Sequence, residues 1–150
     1  MKTIYLSGNI AGIDAEEAVE RFNRNSKILS ELDLCGESIR ILNPLRGKIV
    51  YPRVDGTASK TGSTFAYYEP NEITHRDLWD IMSADIVVAD ITNSSLGVGA
   101  ELGVAWYLRK PIVVVTDNAD VREHPFIQTF ALKIVNTIGE ARDFLLDWML

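Results

Sequence analysis

The run Ser94-Ser95-Leu96-Gly97-Val98-Gly99-Ala100-Glu101-Leu102-Gly103 carries the residues best suited to chemistry. It directly follows an apolar stretch, Ile86-Val87-Val88-Ala89-Asp90, and its pattern opens a helix. Gly97 and Gly99 allow a ligand to approach the backbone, and Ser95 sets a hydroxyl beside exposed helix N–H groups. Glu101 is a lone carboxylate in the first helical turns, set among Ala100, Leu102, Val104 and Ala105, none of which asks for a charge. A carboxylate held in a partly dry pocket can attack an anomeric carbon and form a glycosyl ester, splitting one hard displacement into two easier ones. The alternative is a surface Glu favoured near a helix start by the helix dipole. Spacing alone gives neither reading precedence.

Other side chains could serve such a carboxylate. Asp77, in His75-Arg76-Asp77-Leu78-Trp79-Asp80, is placed to donate a proton or to orient a sugar. Asp80 reads as a solvated helix charge. Arg76 and His75 are candidates for anion contact or for pairing with these acids. Tyr5 could hydrogen-bond a catalytic carboxylate and hold its rotamer, or could be a core aromatic. Ser95, Gly97 and Gly99 could receive a hydroxyl or a phosphate. The spacing is not that of a Walker loop, because no Gly-Lys-Ser/Thr follows, and a dinucleotide fingerprint belongs after the first strand. No metal is expected: the two histidines lie far apart and there is one cysteine.

The elements that must position these residues alternate between strand and helix. Residues 2–7 read as a buried strand ending at Ser7-Gly8-Asn9. Asp14 caps an expected helix to about Leu34, with Ala18, Phe22, Ile28, Leu29 and Leu32 inward. A strand at Ile39–Leu42 stops at Asn43-Pro44. Residues 44–70 lack clear periodicity, the mark of a functional or disordered loop. Pro70 fits the first turn of a helix through Ala84. Strands follow at Ile86–Asp90, Pro111–Thr116 and Lys133–Asn136. Helices are expected to about Leu108, at His124–Ala131 and at Ile138–Leu150, the last with Ala141, Phe144, Leu145 and Trp148 on one face.

This alternation implies one α/β domain over 1–150, a five-stranded parallel sheet with helices on both faces. By analogy with flavodoxin-like three-layer sandwiches, the expected strand order is 2-1-3-4-5. Ligands in such sheets sit beyond the carboxyl ends of the strands. Ser7-Gly8-Asn9, Asn43–Arg46 and Asp90–Gly99 would meet there.

The chain is ordinary in composition for a globular protein, at 47% hydrophobic and 24% charged residues. A net charge of −6 argues against a nucleic-acid backbone as the main partner. Basic residues at Arg46, Lys48, Arg53 and Lys60 leave room for a local anion site. The single Cys35 excludes an intramolecular disulfide, and neither a signal peptide nor a membrane span is expected, so the cytoplasm is the default.

Taken in order, Tyr5-Leu6-Ser7-Gly8, Arg76-Asp77, Ser83-Ala84-Asp85-Ile86-Val87-Val88-Ala89-Asp90, Gly97-Val98-Gly99-Ala100-Glu101-Leu102-Gly103-Val104-Ala105 and Lys110-Pro111-Ile112 resemble the nucleoside 2-deoxyribosyltransferase family. That superfamily includes the 2'-deoxynucleoside 5'-monophosphate N-hydrolases. The resemblance implies a flavodoxin-like fold, Glu101 as nucleophile on C1' of a deoxyribose, Asp77 in support and Tyr5 as hydrogen-bond partner of Glu101. Ser7, Gly8, Asn9, Ser95, Gly97 and Gly99 are the expected substrate contacts, with no cofactor expected, and the resemblance also implies a homo-oligomer whose neighbouring subunit completes the site, here from Asn118–Gln128. Ser95 stands where transferases acting on free nucleosides carry Asp, and so looks more like the monophosphate hydrolases. Those hydrolases, however, carry Ser and Arg where this chain has Asn9 and Ala11. Arg46, Lys48 or Arg53 could replace that phosphate contact. Whether a base or water accepts the sugar stays open. A second reading is a nucleotide-binding protein without turnover. A flavin carrier fits less well, because the loop after the first strand lacks a hydroxyl-rich phosphate cradle.

Overall fold

Strand β1 (Lys2–Gly8) alternates its side chains across the sheet, and this sets the two halves of the interior. Ile4 and Leu6 enter one buried cluster with Phe22, Leu29, Val113 and Leu145. Tyr5 enters the other, with Val87, Ala89, Leu102, Ile112 and Ile127. The computed structural model describes residues 1–10, 13–32, 36–46, 50–52, 63–65 and 70–149. Ala11, Cys35, Lys48, Arg53 and Lys60 lie outside them.

The main sheet runs β2 (Ile39–Leu42), β1, β5 (Ile86–Asp90), β6 (Ile112–Val115), β7 (Lys133–Val135), all parallel. This is the expected order 2-1-3-4-5 of the five sheet strands. Within the segment read as irregular, β3 (Val50–Pro52) and β4 (Ser63–Phe65) pair as an antiparallel hairpin.

Helix α1 (Ala15–Ser30) packs against α6 (Ile138–Met149) on one face of the sheet. Asp14 caps α1 by accepting from the N–H groups of Glu16 and Glu17, and the helix stops at Ser30, short of the expected Leu34. Leu32 is nevertheless buried beyond the helix end. On α6, Ala141 and Leu145 are buried but Trp148 is exposed, contrary to its expected inward position. It shares the stripe of Ala141 and Leu145 but stands in the last turn of α6, next to the helix end at Met149.

Helices α2 (Pro70–Ser83) and α3 (Leu96–Tyr107) pack together on the other face. Lys110 terminates α2 from a distance: its Nζ donates to the carbonyls of Met82 at 2.9 Å and Ala84 at 2.7 Å. A short helix α4 (Ala119–Arg122), not expected from the sequence, precedes α5 (Pro125–Phe130). Four residues are too few to show a helical period, and the visible cue was its Asn118 cap.

Candidate functional site

Tyr5 and Ser7 lie two residues apart on β1 and therefore aim at the same face, toward α3. Ser95 caps α3, its hydroxyl oxygen accepting from Val98 N–H at 3.4 Å. Glu101, half-buried, follows in the second turn. The Ser7 hydroxyl donates to Glu101 Oε2 at 2.5 Å. Ser7 is fully buried, so its side chain is engaged with the carboxylate from inside the fold.

The Tyr5 hydroxyl is also buried here. Burial pushes its pKa far upward, and the carboxylates of Glu101, Asp77 and Asp80 add to that rise. The hydroxyl is coupled to Glu101 but falls short of a full hydrogen-bond geometry. Tyr5, Ser7, Asp77 and Glu101 are thus brought together, with the Ser7 hydroxyl adding a direct contact to Glu101 beside that of Tyr5. Ser7 was a visible candidate, but the sequence did not show that its hydroxyl turns to Glu101.

Asp80 is not solvated. It is 5% exposed and forms a two-pronged ion pair with Arg46, Nη1 to Oδ2 at 2.6 Å and Nη2 to Oδ1 at 2.8 Å. That pairing also corrects the reading of Arg46 as a phosphate contact, since its fork already holds a carboxylate. Arg76 donates to the carbonyls of Pro44 and Arg46 and lies 3.9 Å from Asp77 Oδ1. Together Arg46 and Arg76 fasten residues 43–46 to α2. His75 is exposed on α2.

The loop after β1 is tied to the loop after β5. The Asn9 amide donates to Asn93 O at 2.7 Å, and its carbonyl oxygen accepts from Thr92 N–H at 2.9 Å. Its backbone carbonyl accepts from Arg21, whose guanidinium stands 3.8 Å from Asp90. Asn25 donates to Asp90 at 2.6 Å. Asn9 thus braces the loop that leads into Ser94 and Ser95. At Gly8 a Cβ would lie 2.9 Å from the Asp90 carbonyl and 3.1 Å from the Phe22 ring, so packing alone demands glycine there. Gly97 and Gly99 lie inside α3, and a Cβ at Gly99 would meet nothing within 4 Å.

A cavity of about 510 Å³ opens along α3 toward α5. Ser95, Gly99, Leu102, His124, Phe126 and Phe130 are among its walls. Tyr5, Ser7, Asp77 and Glu101 do not line it. The candidate substrate residues therefore divide between a carboxylate cluster and an apolar cavity, both served by α3. Among the described residues, no group of three or more His, Cys, Asp or Glu could hold a metal ion. No described helix is long and apolar enough to cross a membrane.

The sequence and the fold both match known proteins. The family model for nucleoside 2-deoxyribosyltransferases matches residues 4–149, and the chain belongs to that family. A rat protein named 5-hydroxymethyl-dUMP N-hydrolase is 34% identical over 116 residues, 74% of this chain and 58% of that protein. The chain thus spans a little over half the length of that relative. Among solved structures, the 2-deoxyribosyltransferase of Bacillus psychrosaccharolyticus superposes with a TM-score of 0.68 at 17% identity, covering 98% of this chain and 95% of that one. The 2-desoxiribosyltransferase of Leishmania mexicana superposes with a TM-score of 0.66 at 15% identity, covering 100% of both chains. These likenesses show the fold.

Proposed function

We propose that this protein cleaves the N-glycosidic bond of 2'-deoxynucleosides or their 5'-monophosphates, with Glu101 as nucleophile. The observation that carries the reading is the Glu101 carboxylate, held at 2.5 Å by Ser7 and gathered with Tyr5 and Asp77 at the carboxyl end of the first strand. In the first half-reaction a Glu101 oxygen bonds to C1' as the C1'–N bond breaks. The electron pair leaves with the base, which takes a proton from Asp77. In the second half, water or a second base bonds to C1', the ester C1'–O bond breaks, and its pair returns to Glu101. The incoming group's proton goes to Asp77. Family membership and the N-hydrolase name of the rat relative support this chemistry. A 5'-monophosphate fits a hydroxyl at Ser95 and a helix N-terminus better than it would fit a carboxylate.

The proposal extends to assembly and place. Leu96, Trp106, Tyr107 and Phe126 are exposed apolar side chains on or beside α3 and α5, which supports a homo-oligomer with Asn118–Gln128 reaching a neighbour's site. The acidic chain supports a small-molecule substrate over nucleic acid, and no membrane partner or cofactor is part of the reading. The cytoplasm is the location proposed.

The test is chromatography of purified protein with each 2'-deoxynucleoside and each 5'-monophosphate, with and without a second free base. Base release without an acceptor is expected for a hydrolase, and new nucleoside only with the added base for a transferase. Glu101→Gln is expected to lower the rate at least about a thousandfold. A Glu101→Gln protein as active as the parent refutes the reading.

A further inference from the structure

We infer that Ser7 is a positioning residue for Glu101: its buried hydroxyl fixes the carboxylate rotamer and holds the carboxylate ionised, ready to attack and later to depart. The inference rests on the reading of Glu101 as nucleophile.

Three observations carry it. Ser7 is fully buried and its Oγ lies 2.5 Å from Glu101 Oε2, within the range of a charge-assisted O–H···O⁻ bond. Ser7 sits on β1, which is paired on both sides, and its own partner in the sheet is Ala89 on β5. The donor is therefore carried by one of the most constrained strands of the molecule. Tyr5, the other hydroxyl on this face, also interacts with Glu101, so the carboxylate faces two buried hydroxyls carried by one strand.

A hydrogen bond to the ionised form favours that form, and its loss raises the pH at which the carboxylate takes up a proton. It also makes the carboxylate a better leaving group when the glycosyl ester breaks. The charged and titratable groups around Tyr5 and Glu101 are Asp77 and Asp80 on α2, with Arg76 beside Asp77 and Arg46 paired to Asp80. On β5, Asp90 is engaged by Arg21 and Asn25 of α1, on the opposite face. His124, at the start of α5, lines the cavity that Glu101 does not. Strand β6 offers none.

The test uses Ser7→Ala and Ser7→Cys, the second because a thiol is similar in size and a much weaker donor. Carboxyl-detected NMR of ligand-free protein labelled with carbon-13 at the Glu side-chain carboxyls follows the titration, with Glu101 assigned by Glu101→Gln. The Glu101 midpoint is expected to rise by roughly one pH unit in both variants. In turnover, kcat is expected to fall about tenfold with KM within about twofold, and the acid limb to move up with the midpoint. An unmoved midpoint together with parent-like kcat overturns the inference. So does a raised KM at unchanged kcat, which would make Ser7 a substrate contact. If Ser7→Ala fails to fold, Ser7→Cys carries the same test. Full activity in Glu101→Gln would remove the nucleophile reading, while a moved midpoint would still support the contact, so the two failures are separable.

Discussion

Burial holds the Tyr5 hydroxyl protonated far above its ordinary pKa of 10.0, and the neighbouring carboxylates push the same way. A group whose pKa is raised on folding contributes stability below its unfolded pKa and loses it as pH climbs past that value, because the unfolded chain then releases a proton that the folded one keeps. Parent protein should therefore lose about 1.4 kcal/mol of stability per pH unit above pH 10 through this residue alone. Tyr5→Phe removes that penalty. Urea midpoints at pH 8 and pH 11 should show a smaller alkaline loss in the variant than in the parent, and an identical loss in both would count against the buried hydroxyl. Asp80 and Arg46 make a similar point about reading residues. They are 34 positions apart, and nothing local marks them as partners, so a charge on a helix read as solvated. Only the packing of α2 against residues 43–46 reveals the pair.

At the scale of elements, helix α3 ends with Arg109 at φ 57, a left-handed conformation that costs a residue with a Cβ about 1–2 kcal/mol. Its N–H closes the helix by donating to Trp106 O at 2.9 Å. Arg109→Gly should raise stability by roughly 0.5–1 kcal/mol after the glycine's extra unfolded-state entropy is counted, which a thermal melt will show as a higher Tm. The strands and long helices were legible because each carries its own pattern: the Ile86–Ala89 run, the Asp14 cap, Pro70 in a first turn and the run from Ser94 that opens α3. What escaped was either too short for a period, as with α4 and the β3–β4 hairpin, or decided by distant partners. The carboxylate Glu101 stood out against its apolar neighbours. The contact from Ser7 did not, since a small hydroxyl on a buried strand shows nothing in the sequence of the helix it will face.

At the scale of the whole molecule, Leu96, Tyr107, Phe126 and Trp106 leave apolar area uncovered beside the cavity of about 510 Å³. Trp106, Phe130 and Phe126 form a chain of ring contacts at 5.3 and 5.5 Å between centroids. Light scattering should give the parent a mass at least twice the 16.7 kDa of one chain, and Phe126→Glu should return it toward a single chain. A parent that is monomeric at every concentration would remove the shared-site reading. The Ser7–Glu101 hydrogen bond joins positions 94 residues apart, from the first strand of the sheet to a helix beyond its middle. On the proposed reading of Glu101 as nucleophile, turnover reports on the fold as a whole: a nascent chain stays silent until α3 has emerged and docked, and activity should vanish along a urea series together with the far-ultraviolet signal rather than ahead of it.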